Sequence, residues 1–230
     1  MTWHAKPTGR FDHLSEEATD NAQEIATMLI DEFGWTLEAA AGAIGNIFFE
    51  SGLNPWSWQN QNILTQAEAR TDGAAHGYGL IGWTPARKYQ FNNATWNGVV
   101  LFPNYDQESY PGYGPNWSDV PGTVNDGAAQ TRLLATAMQR HSGNIWITRQ
   151  GHSTIDEFIA IDTTPEFAAQ EFWWGAEFSE HSSSIPQRQE WARDYYDWLV
   201  EHGYHPSGGN LFQIMMFILA LISSKWLFKL

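Results

Sequence analysis

Glu50 is the residue of this chain best placed to do chemistry. It stands in Phe48-Phe49-Glu50-Ser51-Gly52-Leu53-Asn54-Pro55, a carboxylate in the last turn of an apolar helix, just before a turn that stops it. On a helix, Glu50 neighbours Ile47 and Asn46, three and four residues back, at the edge of the apolar face. Partial desolvation and the negative end of the helix dipole both favour the protonated form of a carboxyl placed there. A carboxylic acid held protonated near neutral pH is what acid-catalysed cleavage of a glycosidic bond requires. Taken alone, the same position also suits an ordinary solvated Glu. The acid would need a partner, either a nucleophile or a base holding a water on the opposite face of the sugar. Glu68 and Asp72, in the polar stretch that follows, are the nearest carboxylates; Asp72 precedes Gly73 and equally suits a turn cap.

Other chemistries find little support. The chain has no cysteine, which removes disulfides, thiol nucleophiles and Cys-ligated metals. Its histidines do not form a His-Glu-x-x-His pattern, and neither a Gly-x-Ser-x-Gly elbow nor a Gly-rich phosphate loop occurs. No metal and no cofactor are expected. The net charge of −14 argues against nucleic acid, which is bound by Lys and Arg neutralising phosphates. It also supplies no long-range attraction to an anionic wall or membrane. The 13 Trp, 13 Phe and 8 Tyr among 230 residues fill a core or stack on sugar rings.

The elements that must position Glu50 follow helical periodicity. Thr36 is an N-cap for a helix running to Glu50, Gly52 suits the left-handed position that ends it, and Pro55 blocks continuation. Before it, Ser15 to Phe33 reads as a helix with Ile25, Met28, Leu29 and Phe33 on one face and Gly34 as its stop. Asn54 to His76 is polar and contains Asp72-Gly73, consistent with a small β-hairpin. The glycines of His76-Gly77-Tyr78-Gly79-Leu80-Ile81-Gly82-Trp83-Thr84 allow close backbone approach to a ligand. Leu101 to Val124 is a long Pro- and Gly-rich connection with aromatic residues, suited to a rim or a surface insertion. Helices then follow over Gly127–His141, with Leu133, Leu134, Ala137 and Met138 inward. Another begins at Thr164-Pro165 with Phe167, Trp174 and Phe178 as its apolar stripe. A last one begins at Ser184-Ile185-Pro186 with Trp191, Tyr195, Trp198 and Leu199 inward.

The two ends of the sequence differ. Met1 to Pro7 lacks the apolar core of a secretory signal. Pro206-Ser207-Gly208-Gly209-Asn210 leads into 211–230, an apolar segment ending Lys225-Trp226-Leu227-Phe228-Lys229-Leu230. As a helix it would be about 30 Å long, one hydrocarbon thickness, with Trp226 as an interfacial anchor and the lysines snorkelling. It reads as membrane-inserting, or else as a helix buried in an assembly. The expected fold class is therefore mainly α with a small β-hairpin region and a separate hydrophobic C-terminal helix. Residues 1–206 form the domain, and 207–230 the linker and tail.

Gly45-Asn46-Ile47-Phe48-Phe49-Glu50-Ser51-Gly52-Leu53-Asn54-Pro55 followed by Gly77-Tyr78-Gly79-Leu80-Ile81-Gly82-Trp83-Thr84 resembles the phage tail lysozyme family. That family is related to goose-type lysozymes and lytic transglycosylases. Gln130 with Leu133 and Leu134, Ala168-Ala169 with Phe172 and Glu177, and Arg188 agree in order, so the resemblance covers roughly Ala22 to Leu199. It implies an α+β lysozyme-like fold with Glu50 as general acid toward the β-1,4 glycosidic bonds of bacterial peptidoglycan. Asp72, or Glu68, would stabilise the oxocarbenium-like state or activate water. Asn54, Tyr78, Trp83 and backbone amides around Gly79 would line the sugar cleft. Gly82 departs from the family, which commonly carries Gln just before that Trp to contact substrate or support the acid. The resemblance further implies a virion location in the tail, other tail proteins as partners and entry through the wall; the 211–230 tail adds membrane contact as an expectation of its own. Alternatives are a lytic transglycosylase, a catalytically inactive wall-binding tail component, and a membrane-anchored cellular wall hydrolase.

Overall fold

In a computed structural model, the structure describes residues 3–4, 10–55, 57, 79–82, 95–96, 99–100, 126–139, 146–177 and 182–205. Among the described residues there are six α-helices. They are α1 (Glu16–Thr27), α2 (Leu37–Ser51), α3 (Asp126–Gln139), α4 (Ile155–Ile159), α5 (Pro165–Phe172) and α6 (Ile185–Glu201). A π-helical turn, Met28–Glu32, extends α1; a second, Trp173–Glu177, extends α5. The mainly helical expectation is met. Two short antiparallel strands, β1 (Thr95–Trp96) and β2 (Val99–Val100), pair Thr95 with Val100 and Trp96 with Val99. The hairpin expected between Asn54 and His76 lies almost wholly outside the described residues, as do the 101–124 connection and the tail at 211–230. Among the described residues, no helix is long and apolar enough to cross a membrane.

Helix α2 is the axis of the molecule. Its N-cap Thr36 accepts from the Ala39 amide at 3.1 Å and donates to the Ile161 carbonyl, fixing the start of α2 to the residues just after α4. Small residues let α2 approach its neighbours backbone to backbone. A Cβ on Gly42 would stand 2.6 Å from the Cβ of Ala168 on α5, and one on Gly45 would stand 2.6 Å from the Arg188 carbonyl of α6. Thirteen of its fifteen residues are buried, so α2 is surrounded on nearly every side and emerges at its C-terminal end. The core continues through Ala18, Ala22, Ile25 and Leu29 of α1, Leu134 and Met138 of α3, Phe158 of α4 and Phe172 of α5.

Two expected helix faces need correction. Phe167 is 43% exposed, and the inward face of α5 is Ala168, Ala169, Glu171 and Phe172. The expected stripe ran a 3.6-residue period from Phe167 through Trp174 to Phe178. The chain instead widens into a π-helical turn at Trp173, which shifts the face, and the small Ala168 is what fits against Gly42. On α6 the fully buried positions are Arg188, Ala192, Tyr195 and Leu199; Trp191 and Trp198 are only partly buried against the core.

The N-terminal segment crosses the outside of this core. Asn21 of α1 accepts from the His4 amide at 2.8 Å and donates to both His4 O and Leu53 O at 2.9 Å. The Trp3 ring lies where a Cβ on Gly127 of α3 would be, 2.3 Å away.

Candidate active site

The C-terminal end of α2 builds the site. The helix stops at Gly52 (φ +65°), whose amide bonds back to Phe48 O at 2.8 Å, and Leu53 follows at φ +59°. A left-handed leucine is strained; here it is fully buried and held through its carbonyl by Asn21. The reversal leaves Glu50 at the mouth of the helix with its side chain 32% exposed.

Arg188 of α6 meets Glu50 from beneath. Its side chain is 2% exposed, and its Nη2 donates to Glu50 Oε1 at 2.5 Å. Nη1 donates to Glu177 Oε2 and, at 2.9 Å, to Asn46 Oδ1, while Nε donates to Ser184 Oγ at 3.2 Å. Asn46 is itself fixed, donating to Gly42 O at 2.8 Å and to Ala169 O at 2.9 Å. The guanidinium also lies over the Phe49 ring, 4.0 Å from its centre. A cation at the C-terminal end of α2 complements the helix dipole. Arg10, from the N-terminal segment, stacks on Phe49 at 5.1 Å. Desolvation lowers the Arg10 pKa, the charge of Glu50 raises it, and Arg188 lowers it further.

Glu177, at the end of the second π-helical turn, is the other carboxyl on Arg188, and its side chain is 8% exposed. Burial above all, helped by the charge of Glu50 and a hydrogen bond with it, pushes its pKa up to about 8 against the attraction of Arg188. Oε1 of Glu177 is buried and meets no donor. Two carboxyls thus share one guanidinium, and the buried member favours its protonated form. Such a pair can keep a proton at neutral pH and present it at the exposed member.

The second Gly-bearing motif is docked beside the α2 terminus by Gln130. This fully buried residue of α3 accepts from the Leu80 amide at 2.7 Å and donates to Pro55 O at 2.7 Å. The Gly79 amide donates to Ser57 O at 2.8 Å, and the Gly82 amide to Gly79 O at 3.2 Å. The amides of Gly79 and Leu80 are therefore engaged within the protein. The close approach expected at Gly79 is to Gln130, whose Oε1 stands 2.1 Å from where a Cβ would be. Gly82 adopts φ +61°, a conformation that favours glycine over Gln. Asn54 is 2% exposed, and its carbonyl accepts from the Ser57 amide at 3.1 Å.

Of the residues expected at the site, Glu50, Asn54 and Gly79 are described; Glu50 is exposed at the end of α2, while Asn54 and Gly79 are buried in the turns beside it. Glu68, Asp72, Tyr78 and Trp83 lie outside the described residues. Glu177, Arg188 and Asn46 were given no chemical role from sequence. The signal was present: Arg188 occupies the first place of the stripe Arg188, Ala192, Tyr195, Leu199, and a charge in an apolar stripe needs a buried partner. Asn46, one turn before Glu50 on an apolar helix, carries the same message. Among the described residues, no group of three or more His, Asp or Glu could hold a metal ion.

The phage tail lysozyme family profile matches residues 20–199. The chain is also 43% identical over 84 residues to morphogenesis protein 1 of Bacillus phage B103, a match covering 36% of this chain and 20% of that protein's length.

Proposed function

Because the chain belongs to the phage tail lysozyme family, we propose that it cleaves the β-1,4 glycosidic bonds of bacterial peptidoglycan as a virion-associated glycoside hydrolase acting during entry. The observation that carries this reading is the carboxyl of Glu50, one-third exposed at the end of a buried helix and bonded to a buried guanidinium that holds a second carboxyl. Glu50 protonates the glycosidic oxygen as the bond to C1 breaks, and the charge that develops on the sugar is met by a second group. Glu177 is too deeply buried to touch that carbon. Asp72, or Glu68, is assigned that role, in the segment between the two motifs. Tyr78 and Trp83 line the sugar cleft, with buried Gly79 and Asn54 shaping the turns from beneath. Other tail proteins carry the domain to the wall, which its charge of −14 would not seek unaided. Residues 211–230 enter the membrane beneath.

The test is reducing-end release from purified peptidoglycan by the full chain and by Glu50→Gln. Loss of an acid catalyst costs about 10²–10⁴-fold, so release is expected to vanish in the variant. A lytic transglycosylase would instead leave 1,6-anhydro ends, visible by mass spectrometry. Binding without any cleavage by either protein would sink the enzymatic reading and leave a wall-binding tail component.

A further inference from the structure

Glu177 is buried and ionisable, yet it has no part in the cleavage chemistry proposed above. The Arg188 guanidinium touches both Glu177 and Glu50, and one positive charge balances one carboxylate. The remaining charged group near the pair among the described residues is Arg10, which faces Glu50 from the N-terminal segment. Oε1 of Glu177 is buried without a donor, and Glu50 is the carboxyl that interacts with Glu177 beside Arg188. Two carboxyls in contact satisfy each other only when one carries a proton. The π-helical turn is what brings Glu177 here, since its last residue points back at α6.

We propose that Glu177 is a positioning residue that stores the proton of the acid: Glu50, Glu177 and Arg188 hold one proton as a unit, and deliver it through Glu50. This rests on the reading of Glu50 as the general acid. In the transfer, the Glu177 O–H bond breaks as an O–H bond forms on Glu50, leaving Glu177 a carboxylate on Arg188. Glu50 then gives that proton to the glycosidic oxygen, which takes the electron pair of the broken C1–O bond. The water that captures C1 releases a proton, and the pair is restored. Burial keeps the store filled at neutral pH, where an isolated exposed Glu would be empty.

Glu177→Gln keeps the volume and an acceptor for Arg188 but has no proton to titrate. With the full chain and purified peptidoglycan, cleavage should persist near pH 5. It should fall about threefold below wild type by about pH 7.5 and about tenfold by about pH 9, because the alkaline limb moves down by about one unit from about 8. A uniform loss at every pH, as a purely structural anchor would give, or an unchanged profile, overturns the inference. A second readout needs no turnover: carboxyl ¹³C NMR of glutamate-labelled protein. One inflection near 8 is expected in wild type, absent in Glu177→Gln, and moved to lower pH in Glu50→Gln. Its absence in wild type, or its indifference to Glu50→Gln, overturns the inference. A wild type that cuts through Glu50 with an unchanged Glu177→Gln profile removes this inference alone; a wild type that cuts nothing removes the glycosidase reading and this inference with it.

Discussion

One guanidinium serving two carboxyls makes Arg188 the least replaceable side chain of the site. Its removal leaves Glu177 buried without its cation, and breaking a buried ion pair costs about 3–5 kcal/mol. The Arg188 charge lowers the Glu177 pKa, so Arg188→Ala should push that carboxyl further up. The cost is then smaller near pH 5, where Glu177 is protonated, and grows as pH rises through about 8. Urea unfolding of wild type and Arg188→Ala at the two pH values would check this; equal cost at both would contradict it. Arg188→Lys keeps the charge but loses the planar fork that reaches Glu50, Glu177, Asn46 and Ser184 together. At this scale the sequence was half legible. Glu50 could be singled out because its position at the end of an apolar helix is a local property. Its partners could not, because Arg188 lies 138 positions away and only the packing of α6 on α2 brings it near.

Helix α2 is where element geometry governs chemistry. Gly45 faces main-chain atoms of α6, with a Cβ predicted 2.6 Å from Arg188 O and 2.7 Å from Ala192 N, and main chain cannot swing aside. Gly45→Ala gains about 1 kcal/mol of helix propensity but overpacks the crossing by about 1–3 kcal/mol. The net expectation is a lower melting temperature. Activity should fall more steeply than stability, since about 1 Å of displacement at a reacting group costs about 100-fold. Calorimetry beside cleavage rates would test it; a stabilised, fully active variant would show that α6 yields freely. The starts and stops of α1 and α2 were legible, because Ser15, Thr36, Gly34 and Gly52 act locally. The π-helical turns were not: no residue type marks them, and Trp173–Glu177 therefore misled the reading of the α5 face. The β1–β2 pair had a signal that went unused. Its register leaves Asn97-Gly98 between the strands, a strong two-residue hairpin sequence.

The whole molecule carries a charge of −14, spread over a chain proposed to work on an anionic wall. Attraction is then a matter of delivery, and the apolar 211–230 segment is the part of the sequence suited to a membrane. Deleting 211–230 should abolish association with liposomes in a flotation assay while leaving wall cleavage intact; liposome binding that survives the deletion would refute that role. The mainly helical class was legible from periodicity and capping, and the docking of Trp3 and His4 was not, because they are held by Gly127 and Asn21 rather than by any pattern of their own. The placement of Arg188 on the last described helix has a temporal consequence. During synthesis Glu50 leaves the ribosome 138 residues ahead of Arg188 on α6. At about 5–20 residues per second, the nascent chain spends roughly 7–28 s with Glu50 made and the Arg188 guanidinium still untranslated. On the proposed reading, catalytic competence waits until Arg188 has been translated, and a chain interrupted before it is expected to be inert.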